Sequence, residues 1–180
     1  ILDYHSAFID EYKSHHIDHN GVINELEDYF SPGIVNGLIT LFNQTSKFGE
    51  LEPYRDADVY LKKLHTEGYH INLITACGDG LLTQQLRIEN LKSVFGDIFN
   101  DISFVGLGES KLDYLKKFSN TNTIYVDDMY HHYLDGESVG LDSVLMETEF
   151  NKGVDANRVN SWRELYAYIK ARHKTQHRAY

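Results

Sequence analysis

Beyond residue 56 the chain switches repeatedly between a helical apolar period and short runs suited to strands, and this alternation constrains the fold more than any other feature. The spacing predicts helices over 56–66, 82–93 and 111–118, and strands over 69–75, 102–105 and 123–127. A short strand near 143–146, a last strand at Arg158-Val159 and a final helix from Ser161 complete the pattern. Strands that alternate with helices pair in parallel, because each helix carries the chain back to the same end of the sheet. The fold class is therefore α/β, a parallel sheet between helices. Ser161, with Glu164 three residues on, has the pattern of a capping box, and Trp162 beside it reads as a packing anchor.

Ligands of such a sheet gather at the carboxyl ends of its strands. Val126-Asp127-Asp128-Met129, directly behind Thr123-Ile124-Tyr125, puts two adjacent carboxylates at such a tip. Crowded acids repel one another unless a cation offsets them, and Mg²⁺ favours hard oxygen ligands of this kind. A polar turn closing an ordinary strand is the other reading of the tetrad. Thr75 ends an earlier run and is followed by Ala76-Cys77-Gly78, which sets a hydroxyl at a second tip. Lys111 follows Gly106-Leu107-Gly108-Glu109-Ser110 at the start of a helix, and the chain opens with Ile1-Leu2-Asp3-Tyr4-His5. Acid, hydroxyl, amine and paired acids thus stand in that order.

This order resembles the haloacid dehalogenase superfamily, whose members are mostly phosphatases on a Rossmann-like core. The resemblance implies that Asp3, at the end of a first strand, is the nucleophile. Thr75 and Ala76 would bind the phosphate, Lys111 would neutralise its charge, and Asp127 and Asp128 would close the site. It also implies Mg²⁺ held by Asp3, His5, Asp127 and Asp128, with Asp128 the direct ligand of the closing pair. Glu52-Pro53-Tyr54-Arg55-Asp56-Ala57, and Asn151 followed by Arg158-Val159-Asn160-Ser161-Trp162, look like the 5'(3')-deoxyribonucleotidase group. The expected activity is Mg²⁺-dependent hydrolysis of a small phosphorylated substrate, a nucleotide among the candidates, through an aspartyl phosphate. Positions 3 to 7 depart from the phosphatase pattern Asp-x-Asp-x-Thr or Val: they read Asp-Tyr-His-Ser-Ala. His5 is then the one acid/base candidate near the nucleophile. Members that cleave carbon–halogen bonds also lack the second Asp, which keeps that chemistry open beside a binding protein that has lost catalysis.

Residues 7–15 look helical, and two more helical patterns follow, one through Val22, Ile23, Leu26, Tyr29 and Phe30 and one through Ile34, Val35, Leu38, Leu41 and Phe42. We expect residues 16–48 to form a small helical cap inserted after the first strand, on a core made of 1–15 and 49–180. His15, His16 and His19 read as a solvated cap surface rather than a transition-metal site. The formal charge of −10 argues against extended nucleic-acid binding, which needs clustered cations, and Lys170, Arg172, Lys174 and Arg178 read as a solvated helix end. The single cysteine excludes an internal disulfide and suits a reducing, cytoplasmic setting, with Cys77 a small buried filler. No apolar run approaches the roughly 20 residues of a membrane span. A homodimer stays open.

Overall fold

A computed structural model describes residues 1–14 and 32–176. The first of the two predicted cap helices, around Val22 to Phe30, the three histidines at 15, 16 and 19, and Arg178 lie outside the described residues. The chain runs α1 (Tyr4–Ser14), α2 (Pro32–Phe42), a 3₁₀ turn (Ser46–Glu50), α3 (Ala57–Thr66), β1 (Ile71–Ala76), α4 (Leu81–Phe95) and β2 (Phe99–Val105). It continues through α5 (Leu112–Leu115), a 3₁₀ turn (Lys116–Phe118), β3 (Ile124–Asp127), α6 (Tyr130–Ser138), β4 (Asp142–Met146), a 3₁₀ turn (Glu149–Asn151), β5 (Arg158–Val159) and α7 (Trp162–Gln176). The alternation read from the sequence is present, with parallel strands between helices in a Rossmann-like arrangement.

The strands form two groups, β1 with β2 and β3-β4-β5, and every pairing is parallel. Period-two alternation sends Ile71 and Leu73 of β1, Ile124 and Val126 of β3, and Val144 and Met146 of β4 to one face. There they meet Ala57 and Leu61 of α3, Leu91 and Phe95 of α4, and Trp162 and Leu165 of α7. The opposite face carries Ile74 and Tyr125, which pack with Leu115 and Leu141. Val144 and Leu145, on opposite faces of β4, are both fully buried, and each contributes about 1.5–3 kcal/mol of transfer free energy.

Trp162 is the anchor the sequence suggested. Ser161 Oγ accepts from Glu164 N at 3.2 Å, while the Glu164 carboxylate reaches back one residue further than a capping box requires, to Asn160 N at 2.8 Å.

One expectation is corrected. Ile1-Leu2-Asp3 is not the end of a strand in either sheet. Leu2 instead bridges Pro53 in antiparallel fashion, with Asp3 N donating to Glu52 O at 2.8 Å and Tyr54 N to Ile1 O at 2.8 Å. A local antiparallel partner satisfies their backbone. Asp3 then starts α1, its Oδ1 accepting from Ser6 N at 3.2 Å. A third cluster ties α1 and α2 to the tip of β1 through Phe8, Val35, Phe42, Phe48, Leu51 and Cys77.

Candidate active site

The best-defined polar centre lies at the tip of β3. Asp127, the last residue of that strand, is buried, and both of its oxygens are engaged. Oδ2 accepts from Lys111 Nζ at 2.7 Å and from the Tyr125 hydroxyl at 2.7 Å, while Oδ1 accepts from Met129 N at 2.9 Å. Burial alone would raise this carboxyl, yet the Lys111 charge and the three donors hold it below the usual carboxylate range. Lys111 is itself buried, so the pair is a desolvated ion pair of short geometry. Burial, and then the charge of Asp127, pushes the Tyr125 phenol far above its ordinary value, so it remains a donor.

Lys111 is placed by the loop before α5. Its backbone N donates to Asp135 Oδ2 at 3.0 Å, and the Ser110 hydroxyl donates to the same oxygen at 2.9 Å. Asp135 belongs to α6, so α6 fixes the position of the lysine. His132, one turn earlier, holds Nδ1 at 3.5 Å from Asp135 Oδ2. Burial and the nearby Lys111 charge lower the His132 pKa, with Asp127 and Asp135 opposing.

The sign of the resulting pH effect follows directly. A histidine whose folded pKa lies below its unfolded value of about 6.5 lets the unfolded chain bind more protons, so stability is full above that pH and is lost as pH falls through the folded value. The wild-type melting temperature should therefore drop between pH 7 and pH 5.5, and His132→Gln should flatten that drop. Equal slopes for the two proteins would remove His132 as its source.

Asp128 differs from its neighbour. It is exposed, and desolvation together with the charge of Asp127 pushes its carboxyl above the usual range. Its backbone is held firmly: Asn151 Nδ2 donates to Asp128 O at 2.8 Å and to Met146 O at 2.7 Å, and Asn151 Oδ1 accepts from Thr148 N at 3.1 Å. Asn151 thus fastens the loops after β3 and β4 together.

The remaining predicted residues lie on other elements, with partners of their own. Burial raises the Tyr54 phenol; Arg55 opposes, and the charges of Asp3, Asp128 and Glu149 add to the rise. His5 stands edge-on to Phe150, ring centroids 4.9 Å apart, beside the turn after β4. Thr75 and Ala76 end β1, paired with Phe104 and Val105. Cys77 behind them is buried, and burial raises its thiol pKa, as befits a filler rather than a nucleophile. Among the described residues no three His, Cys, Asp or Glu side chains cluster in a way that could hold a metal ion.

Sequence reasoning missed Tyr125, Asp135 and Arg87. Tyr125 carried a signal, since two residues apart on a strand means the same face as Asp127. Asp135 carried none, because its role depends on where α6 docks. Arg87 is a buried guanidinium stacked 4.2 Å over Phe48, in the cluster beneath Cys77.

No family model and no curated protein sequence matches this chain. Among solved structures, the chain is similar to a dehalogenase crystal structure at a TM-score of 0.51 and 18% identity, over 76% of this chain. The matched region spans 62% of that dehalogenase, less than two thirds of its length. No helix among the described residues is long and apolar enough to cross a membrane. The likeness is one of fold: a Rossmann-like α/β core that a dehalogenase also uses.

Proposed function

We propose that this protein is a hydrolase of the haloacid-dehalogenase type acting on a small phosphomonoester, with a nucleotide the first candidate. The buried Lys111–Asp127 pair carries the reading. A lysine held at the carboxyl ends of parallel strands, 2.7 Å from a carboxylate that orients it, supplies a fixed positive charge where an anionic substrate meets the sheet. Thr75 offers its hydroxyl, and Ala76 its place at the same tip, to the phosphoryl oxygens. Asp3 attacks phosphorus, the bond to the leaving oxygen breaks, and His5 delivers the proton that the departing alcohol takes up. Water then hydrolyses the aspartyl phosphate, with His5 accepting a proton.

Asp128, an exposed carboxylate beside the like charge of the preceding Asp127, is the residue that speaks for Mg²⁺, an ion that needs only one or two carboxylates besides water and phosphate oxygens. Asp128 with Asp3 would hold it, and it would supply further charge neutralisation. Asp127 and His5 fit less well as ligands, since both Asp127 oxygens are engaged and His5 faces Phe150.

The test is a panel of phosphomonoesters, nucleotides included, with and without Mg²⁺. Turnover that needs Mg²⁺ is expected, with Asp3→Asn reducing it by at least about 10³-fold and Asp128→Ala abolishing Mg²⁺ binding by calorimetry. Wild-type rates in Asp3→Asn would transfer the nucleophile's role to another group. A second reading, cleavage of a carbon–halogen bond, is favoured by His5 in place of a second acid and by the fold shared with a dehalogenase. Halide release from a 2-haloacid, with no turnover on the panel, would establish it.

A further inference from the structure

Glu50, Glu52 and Asp58 line an open recess of about 460 Å³ between the 3₁₀ turn Ser46–Glu50, the start of α3 and the second half of α4. Its size is that of a small-molecule site. Glu50 and Glu52 are exposed and Asp58 is half-buried, and among the described residues none of the three carboxylates has an ion-pair or hydrogen-bond partner. Cations on the surrounding elements are engaged elsewhere. Lys47 pairs with Glu11 at 2.6 Å, Arg55 donates to Asn160 O, and Arg87 of α4 lies over the Phe48 ring. Lys62 Nζ reaches the rim, where it donates to Val94 O at 2.8 Å, and the wall stays net negative. Asn90 also lines the recess, and it is only 2% exposed. Its Nδ2 donates to Leu51 O at 2.9 Å, while its Oδ1 is an acceptor without a donor. A buried acceptor left unpaired is costly, so this one points to a donor that arrives with a ligand.

The charge of that ligand follows from the carboxylates, and its shape from their spacing. Glu50, Glu52 and Asp58 share the recess without converging closely enough to hold one metal ion. A single cation therefore meets only part of the wall, whereas a ligand with several positive centres meets all of it. Leu51, Pro53 and Val94 set apolar surface between the polar groups, and such surface suits methylene chains that separate charges. We infer that the recess binds a linear di- or polyamine, with its ammonium groups on Glu50, Glu52 and Asp58 and one N–H donating to Asn90 Oδ1. A lysine-rich segment of another protein carries similar charge. It fits less well, because the acceptor on Asn90 is buried and a slim alkylamine reaches it more readily than a side chain that brings its own backbone. The recess shares no lining residue with the centre around Lys111 and Asp127, so the inference stands apart from the proposed hydrolase activity.

Calorimetry with spermidine tests it, at about 0.15 M salt to screen general attraction to a chain of charge −10, and with excess Mg²⁺ to fill any cation site at Asp128. One molecule should bind per chain, at least about 10-fold more tightly than the monoamine propylamine, because linked charges bind together. Glu50→Gln, Glu52→Gln and Asp58→Asn combined should weaken spermidine at least about 20-fold, each exposed pair being worth about fivefold or less. A control with the same change of charge on exposed residues outside the recess, Asp113→Asn with Glu137→Gln and Asp155→Asn, should alter binding less than about threefold. Asn90→Ala should weaken it about 10-fold. That variant also loses the bond to Leu51 O, so the carboxylate triple, built on side chains with no partners to lose, decides independently of it. Absence of saturable binding, equal effects in the two triples, propylamine as tight as spermidine, or binding of a tetralysine peptide without binding of spermidine would each overturn the inference.

Discussion

Lys111→Ala is expected to destabilise the protein by about 3–5 kcal/mol, the range seen when one partner of a buried ion pair is removed. Asp127 would remain buried with its charge, next to the like-charged Asp128, and keep only the Tyr125 hydroxyl and Met129 N as donors. The anion must then either bind a proton or stay uncompensated, and both routes cost free energy. Urea unfolding measures the loss. Lys111→Met combined with Asp127→Asn removes both charges and should recover most of it, because the double variant leaves no lone ion behind. A single variant within about 1 kcal/mol of wild type would mean that solvent reaches the pair and that it is no more than a surface salt bridge. Substrate turnover should vanish in the single variant at every pH.

Gly136→Ala is expected to cost about 3 kcal/mol or more, at the upper end of overpacking effects. Gly136 lies in α6, where the helix crosses closest to β3 and β4. A Cβ there would sit 2.5 Å from Tyr125 Cδ1 and would overlap Ser143 Oγ. Neither neighbour can give way freely. The Tyr125 ring is pinned by its hydroxyl bond to Asp127, and Ser143 lies in the fully buried run of β4. The helix must lift, and Asp135 on the same helix then loses its hold on Lys111 N and Ser110. Loss of stability should therefore be accompanied by a larger fractional loss of activity. Circular dichroism melting and turnover on the same preparation would show it, and an alanine variant with unchanged melting would place α6 farther from the sheet.

Much of this arrangement was legible in the residues because it is periodic or local. The strand runs ending at Thr75 and Asp127, and the helix from Ser161, declared themselves by apolar period and by cap chemistry. The acidic pair at 127 and 128 was readable as a centre of charge, yet its division of labour was not. Which of two adjacent acids takes the lysine depends on the strand's facing, and Tyr125, two residues before Asp127, was the clue. Asp3 misled because a carboxylate behind two apolar residues looks the same at a strand end and at a helix start. Only the partner at Pro53 distinguishes them, and that contact is 51 residues away in sequence. Asp135 had no local signature at all.

The division of the ladders into β1-β2 and β3-β4-β5 also bears on how the domain assembles. Every strand pair joins successive strands, within residues 71–105 in one case and 124–159 in the other. Each half closes its ladder bonds within its own stretch of chain, through parallel crossovers. Among the described residues the two halves then meet through side chains, without a shared ladder. The described residues can therefore part along this line without breaking a strand ladder, so opening there is opposed by packing alone and is expected at lower free energy than global unfolding, which hydrogen exchange of the strand amides would show.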